Sequence, residues 1–312
     1  MTSLALLSTL VLFVVSTTQV LAQSCPCGYK DSSGNVWREA IVSTFTQDAG
    51  ALAAVNADWI IAPDLQVQSG TATANIQYTT ANVFEYQDAL GLKASAYDNS
   101  GSVKCAEIFT NRADILYGSF RMQAQVPSVP GVVFGENFIQ QLISRRTEDP
   151  ATPGFFTYIS GTQEQDIEFL SSDTNYYQQV HYTNQPGQLS SGDPDPDAAK
   201  DIEVPGADFT TFGVHRIDWL PSSTTYSYSG NTDSGTPISS TTTITKNVPT
   251  TPSEFIINVW SNGDPTWSQG PPTADAIATL HYANLYFNST SFSAASFNSA
   301  CSAAGNVAPC SV

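Results

Sequence analysis

Gln163-Glu164-Gln165-Asp166-Ile167-Glu168-Phe169-Leu170 carries a carboxylate at every second position from Glu164 to Glu168. Side chains alternate along an extended strand, so all three acids point to one face. Only 12% of the 312 residues are charged, so three acids together need a reason. Like charges this close resist joint ionisation, which raises at least one pKa and keeps a proton available for donation. An acid, a nucleophile or base, and a third group between them are the minimal equipment for cleaving a glycosidic bond. A polar strand face or a calcium-binding rim accounts for the same residues, and the surroundings must choose.

Spacing narrows the chemistry. Glu164 and Glu168 lie roughly 13 Å apart at Cα in a strand. Retaining glycosidases hold their two carboxyl groups about 5–5.5 Å apart and inverting ones about 6.5–9.5 Å. Two glutamates leaning together over a twisted strand reach the shorter value, whereas an aspartate at either end falls short. Asp166 sits between them, placed to hydrogen-bond the nucleophile and tune its neighbours.

The rest of the chain reads as a turn-rich β protein. It is 41% hydrophobic and 11% aromatic, with only 11 Lys plus Arg. A net charge of −17 excludes nucleic acid and anionic membrane as partners, since both repel it, and is compatible with a neutral polymer. Short β-prone runs follow one another from Thr71 onward, among them Val103 to Phe109, Ser119 to Val126, Phe155 to Ile159 and Asp166 to Leu170. Tyr176 to Tyr182, Phe212 to Trp219, Thr224 to Tyr228, Phe255 to Trp260 and Leu280 to Phe287 continue the series. Many strands without intervening helices predict one all-β sandwich or jelly roll. Ala49 to Ala62, with Asp48 as cap, is the one convincing helical stretch near the start.

Residues 1–22 read as a secretory signal, apolar from Ser3 to Leu21 and ending Val20-Leu21-Ala22, though without a basic n-region. Five cysteines (Cys25, Cys27, Cys105, Cys301 and Cys310) fit that compartment as two disulfides and a leftover, with connectivity open. Asn288-Ser289-Thr290 is a glycosylation sequon, which predicts a surface position. The mature chain, 23–312, reads as a single domain.

Sugars are bound by aromatic faces and amide or acidic groups. Phe155-Phe156-Thr157-Tyr158 precedes the acidic strand, His181-Tyr182-Thr183-Asn184 follows it, and Asn258-Val259-Trp260 and Trp267 come later. Asn258 and Trp260 share one strand face, a polar-plus-stacking pair. Candidate substrate-binding residues are therefore Phe156, Tyr158, Tyr182, Asn258 and Trp260. An aromatic taken singly is more often core than platform.

These segments together resemble the core of family 16 glycoside hydrolases, the lichenases, laminarinases and fungal wall glucanases. Tyr117-Gly118-Ser119-Phe120-Arg121, His215-Arg216-Ile217-Asp218-Trp219 and Asn258-Val259-Trp260-Ser261-Asn262-Gly263 extend the likeness over roughly Cys25 to Asn288. The resemblance implies a concanavalin-like jelly roll of two curved antiparallel sheets with a glucan cleft. It implies Glu164 as nucleophile, Asp166 as its electrostatic helper and Glu168 as general acid/base, acting by double displacement with retention. It also places Tyr182, Asn258 and Trp260 in the cleft. An acid/arginine pair that the family carries after Tyr-Gly is replaced here by Arg121 and Gln123, which leaves linkage specificity open. The expected substrate is a β-1,3 or mixed β-1,3/1,4 glucan, taken by a secreted monomer with no cofactor. Alternatives are a non-catalytic glucan-binding protein on the same scaffold and a cell-wall transglycosylase.

One interval departs from the family pattern. There a Gly-Val-x-x-Gly segment runs directly into Phe-Phe-Thr-Tyr, whereas here residues 136–154 separate Gly135 from Phe155. The 19 extra residues read either as a retained short intron, about 57 nucleotides in frame at three per codon, or as a loop capping the cleft. If translated, the segment is expected to interrupt the strand that pairs with the catalytic one.

Overall fold

The alternation at 164–170 forms a strand whose two faces have opposite environments. The computed structural model describes residues 25–67, 72–139, 163–231 and 235–312, and with strands numbered in chain order Glu164–Leu170 is β12. Gln165, Ile167 and Phe169 are buried toward a second sheet, where Gln165 donates to Thr224 Oγ1 and the Phe169 ring lies 4.9 Å from His215. Glu164, Asp166 and Glu168 consequently face away from that second sheet.

The front sheet runs β14 (Ala199–Glu203), β13 (Gln179–Asn184), β12, β11 (Val133–Ile139), β18 (Glu254–Trp260), β9 (Ser102–Thr110), β6 (Asn75–Tyr78) and β5 (Leu65–Val67), with β4 (Trp59–Ile61) also on β9. The back sheet runs β17 (Pro237–Ile244), β16 (Ser223–Asn231), β15 (Gly213–Leu220), β10 (Ile115–Gln125), β19 (Ala276–Ser289), β8 (Ala89–Ala94) and β7 (Val83–Tyr86), with β3 (Glu39–Thr44) also on β19. Within these two sheets the pairing is antiparallel except between β6 and β9. This is the two-sheet β sandwich that the strand pattern predicts.

Facing residues of the two sheets make the core. Phe120 stacks on Phe255 at 5.8 Å and Tyr182 on Tyr226 at 4.8 Å, all four excluded from solvent. Rings of this size dominate burial energetics and favour offset stacking. In β15, His215, Ile217 and Trp219 are buried while Val214, Arg216 and Asp218 are only partly so, the alternation of a half-buried strand.

The ends of the described chain are tied together. Cys25–Cys310 and Cys27–Cys301 are disulfides, beside a third small sheet of β2 (Val36–Trp37), β1 (Tyr29–Lys30) and β20 (Cys310–Ser311). Cys105 is the buried leftover, its thiol pushed up to about 12 by burial, so it is inert.

Several expectations need correction. The helix near the start is only Ala51–Asp58 (α1), with Gly50 in place of Asp48 at its cap, because Trp59 turns extended to pair with β9. A second helix, Ala294–Ala303 (α2), was not anticipated; Ser293 caps it by accepting from Ser296 N–H at 3.1 Å. The sequon asparagine needs no such correction: Asn288 is partly exposed in β19, its Oδ1 accepting from Arg38 Nε at 2.9 Å. The strand before the catalytic one is not interrupted: β11 continues through Glu136 to Ile139, in unbroken register with β12 and β18. Phe156 and Tyr158, like the leader and residues 140–154, lie outside the described residues. Among the described residues no helix is long and apolar enough to cross a membrane.

Candidate active site

A single cross-strand row defines the site. Glu107 of β9 stands beside Asn258 of β18, then Gly135 of β11, Glu168 of β12, His181 of β13 and Asp201 of β14. All share the face that carries Glu164 and Asp166, since residues two apart on a strand project alike. Gly135 opens the row: a Cβ there would sit 3.3 Å from Ile167 O, 3.5 Å from Glu168 Cγ and 3.7 Å from Asn258 Oδ1. The missing side chain leaves a gap between the acid and the amide.

Burial raises the proton affinity of all three acids. Burial pushes Glu164 up to about 7, helped by the charge of Glu168 and opposed by a hydrogen bond with Asp166. Asp166 is raised far above the carboxylate range by burial and by both glutamate charges. Its Oδ2 accepts from Gln185 Nε2 at 3.0 Å, the one contact among the described residues that favours its ionised form. Burial also raises Glu168, opposed by the Trp267 indole N–H and by His181. Trp267 Nε1 lies 3.5 Å from Glu168 Oε1, and the residue is 37% exposed, which leaves aromatic surface accessible beside the acid.

Asn258 Oδ1 is buried without a hydrogen-bond partner among the described residues, while its Nδ2 reaches Glu107 Oε2 at 3.5 Å. A buried carbonyl oxygen left open costs about 1–3 kcal/mol unless something donates to it, and a sugar hydroxyl is such a donor. Trp260 projects on the same face as Asn258, next to Val133, as the two-residue spacing requires.

Tyr182 does not belong to the cleft. It pairs with Ile167, on the core side of the sheet, and is fully buried against Tyr226. One step in register reverses a side chain's face, and His181 and Thr183 take the outward places. Arg121 and Gln123 are also removed from the cleft. They alternate with Phe120, Met122 and Ala124, which fill the core, so they project from the outer face of the back sheet; Arg121 lies over the Tyr286 ring at 5.4 Å. The further acid on the face of Glu168 is Glu107, paired with Asn258, which the sequence reading passed over. A lone glutamate inside the apolar run Val103 to Phe109 was the available signal.

A two-sheet β sandwich carrying two glutamates that flank an aspartate on one strand face, with a partly exposed indole alongside, has the equipment that glycoside hydrolysis needs. The sequence profile of "Glycosyl hydrolases family 16" matches residues 70–278, and the chain belongs to that family. Its activity is thus that of a glycoside hydrolase. It is 27% identical over 209 residues to a beta-glucanase of Bacillus subtilis (strain 168), covering 61% of this chain and 79% of that one. A beta-glucanase of Bacillus licheniformis is 26% identical over 215 residues, covering 63% of this chain and 81% of that one. Among solved structures, a lichenase derived from a mouse hindgut metagenome superposes with a TM-score of 0.52 at 16% identity, covering 74% of this chain and 94% of that one. The Bacillus licheniformis beta-glucanase structure gives 0.53 at 17%, covering 74% and 92%.

Proposed function

We propose that this protein is a secreted endo-β-glucanase that hydrolyses a β-1,3 or mixed β-1,3/1,4 glucan by double displacement with retention. The observation that carries this reading is the arrangement on one strand face: Glu164 and Glu168 flank Asp166, and Glu168 lies beside an indole N–H. In the first step a Glu164 oxygen attacks the anomeric carbon. The bond to the leaving sugar oxygen breaks as Glu168 gives that oxygen its proton. In the second step the Glu168 carboxylate takes a proton from water, the water oxygen attacks the same carbon, and the ester to Glu164 breaks, returning both carboxyl groups to their first state.

Asp166 stays hydrogen-bonded to Glu164 through both steps, holding the attacking carboxylate in place. Asn258 Oδ1 and Glu107 offer acceptors to sugar hydroxyls, and Trp267 and Trp260 offer faces to the rings. The beta-glucanase relatives support glucan as the substrate class.

Product analysis on laminarin, lichenan and xyloglucan, side by side, tests the reading. Shorter oligosaccharides of retained configuration from laminarin or lichenan are expected, and Glu164→Gln should bind them without turnover. Binding with no turnover in the wild type would establish a glucan-binding protein instead, and products longer than the donor would establish a transglycosylase.

A further inference from the structure

His181 is bracketed by carboxylates. Its Nε2 lies 2.7 Å from Asp173 Oδ2 and its Nδ1 lies 2.7 Å from Asp201 Oδ1. Ionised carboxylates only accept, so both ring nitrogens must donate, and the ring that does so is the imidazolium. The side chain is only 9% exposed, and its strand position is directly opposite Glu168. Its ring also lies 5.6 Å from that of Trp267, the residue whose indole reaches Glu168 Oε1.

We propose that His181 is a positioning residue for Glu168: fixed as a cation between Asp173 and Asp201, it braces Trp267 and stabilises the carboxylate that Glu168 becomes after giving up its proton. The inference rests on the acid/base role proposed for Glu168. A neutral acid suffices to protonate the leaving oxygen, but the second step needs Glu168 ionised in a site whose burial opposes ionisation. A cation on the neighbouring strand and an indole N–H are what this site supplies against that burial. Burial works against the His181 charge too, but Asp173 and Asp201 raise its proton affinity above the ordinary value.

The charged groups around the ring are few. From β12 it faces Glu168, from the following turn Asp173, and from β14 Asp201. Glu203, next along that face of β14, accepts from Asn175 at 3.3 Å, and Asp264 in the Trp267 loop is taken up by Thr266 at 2.7 Å.

The test is the pH dependence of kcat/KM for wild type and His181→Asn, with thermal melts to verify folding. Loss of the cation should move the alkaline limb upward by about one pH unit; a limb that stays in place in a folded variant overturns the proposal. Should His181→Asn not fold, the 15N shifts of His181 in wild-type protein decide. An imidazolium at neutral pH supports the proposal and a neutral ring overturns it. Glu168→Gln, assayed on an activated aryl glucoside with and without azide, tests the underlying role separately. Azide rescue with glycosyl azide formed upholds Glu168 as acid/base whatever His181 does.

Discussion

Trp267 donates its indole N–H to Glu168 Oε1 across 3.5 Å, and the residue stays 37% exposed. One side chain therefore combines a donor to the acid with exposed aromatic surface, which we expect to serve as a sugar platform. The two roles separate by substitution. Trp267→Phe keeps a stacking face and removes the donor, so Glu168 should hold its proton to higher pH. The alkaline limb of kcat/KM should rise with KM little changed. Trp267→Ala should raise KM several-fold, since stacking on an aromatic face is worth about 0.5–1.5 kcal/mol. Steady-state kinetics across pH on whichever glucan the wild type cleaves distinguishes them; identical profiles for the two variants would refute the division.

Gly135 adjoins Glu168 and Asn258 at once, and its backbone does not require glycine. The constraint is space. In Gly135→Ala the new methyl would meet Ile167 O at 3.3 Å and press on Glu168 Cγ and Asn258 Oδ1. We expect kcat/KM to fall tenfold or more, about 1.4 kcal/mol of transition-state stabilisation. The melting temperature should move by only a few degrees, roughly the effect of 1 kcal/mol in a chain of this size. A variant with full activity would show that the gap is not used by substrate.

His215 lies fully buried among Phe169, Phe209 and Tyr228, and burial lowers its pKa to about 3. Its folded pKa lies below the unfolded value of about 6.5, so the unfolded chain binds a proton that the folded one refuses. The stability that His215 contributes is complete above pH 6.5 and is lost as pH falls toward 3. At about 1.4 kcal/mol per unit the loss reaches roughly 5 kcal/mol. His215→Phe should flatten the fall in melting temperature over that window relative to wild type. Parallel curves for the two proteins would remove His215 as a source of acid sensitivity.

How far the sequence foretold this site depends on the distance over which each fact is decided. The acidic strand was legible because a period of two is local, and so was the shared face of Asn258 and Trp260. Tyr182 was misplaced because the aromatic was judged by its nearness to the motif rather than by parity: Ile167 is core, so its register partner must be core as well. Arg121 and Gln123 drew attention, and Glu107 was passed over, for a different reason. Which sheet a strand joins is set by pairing partners far along the chain, and β10 joins β15 and β19 rather than β12. The bracketing of His181 by Asp173 and Asp201 arises from a turn and an edge strand that no local pattern connects.

The register of β11 bears on the extra residues 136–154. Glu136 occupies a position opposite Ile167 on one side and Ile257 on the other, both fully buried on the core side of the sheet. An apolar residue suits a position whose register neighbours on both sides are core. Removing 136–154 would bring Phe155 to it directly after Gly135, followed by Phe156, Thr157 and Tyr158 at the places of Asn137, Phe138 and Ile139. By parity Phe156 and Tyr158 would then share the face of Asp166 and Glu164, the side on which a sugar must lie. We propose that the shortened chain is the better-folded and more active form. Expressed in parallel, it should melt higher by several degrees, as the roughly 1.5–3 kcal/mol of burying one large apolar side chain at that position implies for a chain of this size. Its kcat/KM on laminarin or lichenan should exceed that of the full chain. A mature transcript that encodes 136–154, together with equal or lower stability of the shortened chain, would identify the segment as a native part of the protein.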